Sequence, residues 1–298
     1  MSAMLHLRGQ SQFETAMGRE LFRWINLQLT VKDLGYGTKL AYQGLLPHNF
    51  RDTAAEHSMT AMLRLADLLR QLGEVLKSEP DTGRILKSQP NNARNQQELR
   101  RILASALQLE EYFDLWHPQV PVPKTALLTV RPKQFFHDLI AFFPKLTEGM
   151  AYSTYWVIRL RWSRFIVDCS RHLNSSINTI YPHLSPRKLL DDITYCADKI
   201  HIIIPFLTGE VDTTGVVRAQ TPLEARGSAF VCLLTLWRVN SLIGTPELEI
   251  TRPGLRKWAF ERLLDLRHRV GLKQAYAFYQ SFQGRIEASS DMRNFFEE

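Results

Sequence analysis

Along most of this chain the apolar positions recur every third or fourth residue, and nowhere do they alternate with polar ones for long. That periodicity predicts helices and almost no strand. The longest clear run is 150–180, which contains neither Pro nor Gly. At about 100° per residue its side chains sort onto two faces. One carries Tyr152, Tyr155, Trp156, Trp162, Ile166, Leu173 and Ile177, the kind of stripe that faces a core. The other carries Arg161, Arg164, Asp168 and Arg171. Arg159 falls inside the apolar stripe. A guanidinium keeps its charge and needs an acceptor when buried, so two readings stay open. Arg159 pairs with a carboxylate on a neighbouring helix, or it anchors a polar group of a ligand held against the aromatic wall.

The same pattern orders the rest of the chain. Residues 1–8 read as the last turns of a helix ended by Gly9, 17–31 as a largely buried helix, and 35–50, with its glycines and Pro47, as a loop. Asp52 or Thr53 can cap a helix that runs to Leu76. Residues 77–97 turn polar and read as an exposed connector, followed by a helix over 96–116. Prolines 118, 121 and 123 then break the helix and lead in extended form to a short aromatic helix over 132–143. Pro182 and Pro186 end the central helix and start the next, so 188–204 turns back against it as a helical hairpin. A loop over 208–221, a helix from Pro222 or Leu223 to 243, a helix opened by Arg252-Pro253 and running to 270, and a short helix over 273–282 complete the chain. The expected fold is all-α, a single compact multi-helix domain over 1–298 built around the hairpin at 150–204.

With 298 residues, 45% of them hydrophobic, the chain can bury a substantial core. No apolar run reaches the length of a membrane span, and the first residues lack the apolar region of a secretory signal. Lys and Arg total 37 against 30 Asp and Glu, a formal charge of +7. The cations are spread over many segments, which predicts solvated faces instead of one nucleic-acid patch. Cys169, Cys196 and Cys232 have no paired spacing, so they read as small core residues in a reducing nuclear or cytoplasmic compartment.

Signature motifs for phosphate loops, dinucleotide binding, zinc hydrolysis and serine nucleophiles are absent. Asp191-Asp192 begins an acidic motif of the kind that holds magnesium in terpene cyclases, but Tyr195 stands where a further carboxylate is needed. No metal and no cofactor is therefore expected. His48 and His57 flank a loop, and His201 lies near Asp198 on the second arm of the hairpin. An enzyme built here would polarise a carbonyl with Arg159, use Tyr152, Tyr155, Trp156 and Trp162 as its wall, and move a proton through Asp198 or His201.

Three blocks carry a resemblance: A-M-L-H-L-R-G-Q-S-Q-F-E-T-A-M-G-R-E-L-F at 3–22, A-D-K-I-H-I-I-I-P-F-L-T-G-E at 197–210, and R-K-W-A-F-E-R-L-L-D-L-R-H-R-V-G-L-K-Q-A at 256–275. In order and spacing they resemble the regulatory, or middle homology, domain of fungal zinc binuclear-cluster transcription factors. The chain departs from that pattern at Lys199, where an acidic residue is usual, and at Arg267, where a glycine is usual. Its three scattered cysteines cannot build the six-cysteine zinc module that reads DNA. The resemblance implies a regulatory domain that binds a small-molecule effector and pairs with a second copy or a transcription partner. It implies no direct sequence-specific DNA contact, and a role in fungal secondary metabolism. The alternative is a stand-alone cofactor-free cyclase, pericyclase or isomerase that reuses the helical pocket for a natural-product substrate.

Overall fold

The computed structural model describes residues 54–77, 89–129, 135–173, 179, 181, 184–218 and 229–270. The expected elements at 1–8, 17–31, 35–50 and 273–282 lie outside these residues, as does the block at 3–22. Helices dominate what is described: α1 (Ala54–Lys77), α2 (Gln89–Trp116), α3 (Leu146–Arg171), α4 (Pro186–His201), α5 (Ile204–Leu207), α6 (Ala229–Ile243), α7 (Leu248–Thr251) and α8 (Leu255–Val270). A 3-10 turn at His117–Gln119 and two short strands, β1 (Lys124–Leu127) and β2 (Leu139–Phe142), complete the set. The mostly helical fold and its central hairpin are as expected. No described helix is long and apolar enough to cross a membrane.

The described helices fall into two compact units. The first holds α1 and α2, packed through Met62, Leu65, Leu68 and Leu72 on one side and Leu99, Ile102, Leu103, Ala106, Leu109 and Phe113 on the other, all buried. Their outer faces are tied by short-range ion pairs, Arg70 with Asp67 and Glu74, and Arg101 with Glu98. The expected connector at 77–97 is shorter than its polarity suggests, because α2 already begins at Gln89. Pro90 sits in the first turn, where a missing N–H costs nothing, and the Gln, Asn, Ala and Arg that follow leave a helix intact.

In the second unit α3 and α4 form the hairpin. Ser185 caps α4, its Oγ accepting from Lys188 N at 3.1 Å, and Pro186 occupies the first turn. The central helix differs from expectation at both ends. It starts at Leu146 and takes in Gly149, where a Cβ would lie 2.7 Å from Phe206 Cε1, and it stops at Arg171, so Leu173 is not part of it; Ile177 lies outside the described residues. The clean division into a core face and a solvated face also fails. Ser153, Thr154, Val157, Ser163, Val167 and Ser170 are buried along with the aromatic stripe. On the arginine side, Arg161 Nε donates to Ser241 Oγ on α6 at 3.0 Å and its guanidinium stacks 5.7 Å from the Trp237 ring centre.

Where an aromatic helix is expected at 132–143, residues 132–134 lie outside the described residues, 136–138 form a bend and 139–142 form β2. This strand pairs antiparallel with β1, Lys124 opposite Phe142 and Thr125 opposite Ala141. Burial explains the misreading: Ile140, Ala141 and Phe142 are all buried in succession, so β2 shows no period-two alternation. Its Ala141 N–H donates to Ile202 O at 2.9 Å, which fastens the ribbon to the end of α4.

Candidate ligand cleft at the end of helix α4

Tyr195, Asp198, Lys199 and Ile202 stand at i, i+3, i+4 and i+7 and therefore share one face of the chain at the end of α4. With His201, they form one side of a cleft of about 340 Å³. His137 and Leu139, at the start of β2, and Arg252, just after α7, line the rest. The chain is placed here by three anchors. Ala141 holds β2 to Ile202, Thr194 Oγ1 on α4 donates to Thr251 Oγ1 at 2.7 Å, and Arg252 Nη1 donates to Thr251 O at 2.9 Å.

Arg252 grips Asp198 with both arms of its fork. Nε lies 2.8 Å from Oδ1 and Nη2 lies 2.5 Å from Oδ2, the bidentate arrangement a planar guanidinium favours. The Asp198 bond raises the pKa of Arg252 above its ordinary value. The carboxylate expected to carry a proton is thus committed to an ion pair. Arg252 was not a candidate in the sequence, because 54 residues separate it from Asp198.

His201 is 3% exposed. Its Nδ1 lies 3.1 Å from Ala197 O, and a carbonyl only accepts, so Nδ1 carries the proton and Nε2 the lone pair. Nε2 finds no hydrogen-bond partner among the described residues. Phe136 meets the ring edge-on at 5.4 Å, His137 lies at 5.8 Å and Trp258 closes the site at 6.4 Å. Burial pushes the imidazole pKa down to about 4, against the pull of Asp198 at 3.9 Å, so the ring is neutral at neutral pH. The ring is thus nearly closed off from solvent, although His201 borders the cleft.

The aromatic wall is real, but its rings face one another. Trp156 meets Tyr155 at 4.8 Å, Tyr195 at 5.3 Å, His117 at 5.8 Å and Tyr152 at 6.1 Å between ring centres. Tyr152, Tyr155, Trp156 and Trp162 are all buried, and burial raises the Tyr152 phenol above its ordinary pKa. Arg159 is only half-buried. Its guanidinium lies 5.5 Å from the Trp162 ring centre, and its charge counters the rise that burial imposes on Asp192 of α4. The structure thus separates the sequence candidates into two groups. Arg159 and the aromatic wall lie along the α3–α4 seam, while Asp198 and His201 lie at the cleft. Tyr195 joins them, one ring edge on Trp156 and its surface lining the cleft.

The unit also buries charges that the solvated-face expectation missed. Arg238, with no exposure, donates through Nε to Ser153 Oγ at 2.6 Å and through Nη2 to Met150 O and Thr154 Oγ1 at 3.1 Å. Burial lowers it to about 9. Glu247 accepts from Arg171 at 3.0 Å, and Arg262 pairs with Glu210. Arg238 and Glu247 bind α6 and the start of α7 to α3, Arg262 binds α8 to the turn after α5, and none of them lines the cleft. Cys169 and Cys196 are free and buried, as expected, with thiols pushed up by burial; His57 falls inside α1 and does not flank a loop, and its side chain, the Cys232 side chain and the whole of His48 lie outside the described residues. Among the described residues no group of His, Cys, Asp and Glu could hold a metal ion. No protein-family model, no curated protein and no solved structure matches the chain.

Proposed function

We propose that this chain is a regulatory helical domain that binds a small-molecule effector, related to the middle homology domain of fungal zinc binuclear-cluster transcription factors and lacking their DNA-binding module. The observation that carries the reading is the cleft at the end of α4. Asp198, Lys199, His201 and Ile202, which line it, all belong to the family-like block at 197–210. A cleft of this size with an apolar floor and a few polar groups has the character of a ligand site. Its walls come from separate elements, β2, α4 and the α7 end, so an occupant can bias how they are held together. Control of secondary metabolism, a nuclear or cytoplasmic location and pairing with a second copy or a transcription partner belong to this proposal.

The test is a binding screen on the purified chain against small-molecule metabolites, read by melting shift and calorimetry. Binding that Leu139→Trp abolishes, with the compound recovered chemically unchanged and no sequence preference for duplex DNA, supports the domain as an effector sensor. Failure of every compound to bind at the cleft refutes it.

One observation favours the second reading, a cofactor-free cyclase or isomerase. The neutral His201 has an Nε2 lone pair with no partner among the described residues, the state a general base requires. Conversion of a bound compound to an isomer by the wild-type chain, and its loss in His201→Phe with the fold intact, is the result that selects the enzyme.

A further inference from the structure

The cleft's electrostatics are uneven. Asp198 and Arg252 neutralise each other through their bidentate pair. His201 has its Nδ1 proton on Ala197 O and its Nε2 enclosed. Lys199 remains. Its ammonium lies 4.8 Å from the Tyr195 ring centre, and among the described residues no carboxylate comes within ion-pair distance of it. A lysine one turn past an exposed tyrosine, stacked on its ring, is a held cation with its remaining donors free. Apart from His137, the remaining lining is apolar: Tyr195 is 52% exposed, Leu139 is 38% exposed and Ile202 is buried. The cleft therefore offers one net positive charge beside an uncovered apolar floor. That combination fits a single anionic group on an apolar body; a phosphate would call for several converging donors.

We propose that the cleft takes a small apolar carboxylic acid, its ring or chain laid on Tyr195, Leu139 and Ile202 and its carboxylate held by Lys199. The assignment rests on the reading of this cleft as the effector site and names the class of effector.

The experiment uses the full chain and matched probes, each acid beside its primary amide: benzoate and benzamide, 2-naphthoate and 2-naphthamide, decanoate and decanamide. Affinities are read by isothermal titration calorimetry, with circular dichroism confirming that each variant is folded. The expected result is that at least one acid binds about tenfold more tightly than its amide, and that Lys199→Met removes the difference while leaving the amide unchanged. Tyr195→Ala weakens acid and amide alike. If acid and amide bind equally and Leu139→Trp abolishes both, the cleft stands as a binding site and the carboxylate assignment falls. If Lys199→Met leaves the acid's preference intact, the anchor is wrong. If none of the pairs binds, the acid assignment falls, and binding of other compounds at the same cleft decides separately whether the effector site does.

Discussion

Asp198 and Arg252 meet through two parallel hydrogen bonds, 2.8 and 2.5 Å long, between the end of α4 and the residue that follows α7. The pair fixes the mouth of the cleft. Both side chains are about one-third exposed, so water screens them and their worth is modest in spite of the good geometry. Arg252→Met is expected to cost about 1 kcal/mol and to lower the melting temperature by a few degrees. Asp198→Asn costs a similar amount, and the double variant costs less than the sum of the two because they share one interaction. Strict additivity in that cycle, read by thermal denaturation, would show that the two side chains do not act as a pair.

His201 sets a pH dependence. Its folded pKa is lowered to about 4 from the ordinary 6.5, so the unfolded chain binds the extra proton more readily. The stability this neutral ring contributes is complete above pH 6.5 and is lost as the pH falls toward 4. A shift of that size corresponds to at most about 3 kcal/mol. Asp198 opposes the shift and Arg252 and His137 reinforce it, so the charges around the ring set how far below its ordinary value His201 lies. Carboxylates elsewhere contribute below pH 5; the informative quantity is the difference between wild type and His201→Phe. That difference is expected to narrow steadily between pH 6.5 and 4, and a constant difference would mean that His201 titrates normally.

Arg159 is expected to be dispensable for folding. It lies half-buried on the Trp162 ring, and its charge holds back the rise that burial imposes on the pKa of both Asp192 and Cys196. Arg159→Met should therefore move the Asp192 carboxyl further up while changing stability by less than about 1 kcal/mol. Carbon-detected NMR titration of the Asp192 side chain checks both the direction and the residue. An unchanged Asp192 would place the guanidinium's influence elsewhere.

These residues also show where sequence reasoning succeeds. Helical periodicity gives the buried aromatic stripe of α3, and Asp198 and His201 as neighbours, because those relationships are local to one helix, while Pro182 and Pro186 mark the break that makes α3 and α4 a hairpin. Arg252 and His137 could not be found that way: they reach the cleft by tertiary packing from 54 residues after Asp198 and from the turn before β2. Tyr195 and Lys199 were within reach, since i, i+3 and i+4 spacing puts both on the Asp198 face. The aromatic content of 135–143 favoured a helix, and only pairing with 124–127 makes β2 a strand. The arginines on the second face of α3 looked solvated because their partners, Ser241, Trp237 and Glu247, lie on other elements.

Gly149 illustrates a competition whose sign the geometry decides. Replacing a helical glycine with alanine favours the helix by about 1 kcal/mol when nothing else changes. Here the new Cβ would lie 2.7 Å from Phe206 Cε1 and 3.2 Å from Phe143 Cδ2, contacts that force one of two buried rings to move. Phe206 is 4% exposed and Phe143 1% exposed, and they meet each other at 6.1 Å, so neither ring has open space to enter. Overpacking of this kind costs about 1–3 kcal/mol, which cancels or exceeds the helix gain. Gly149→Ala is therefore expected to lower stability by about 1 kcal/mol, and Phe206→Leu in the same chain should recover part of the loss by removing the atom the methyl meets. Denaturant unfolding of the two single variants and the double variant measures this coupling. A Gly149→Ala chain more stable than wild type would mean that α5 is not packed against the first turns of α3 as described.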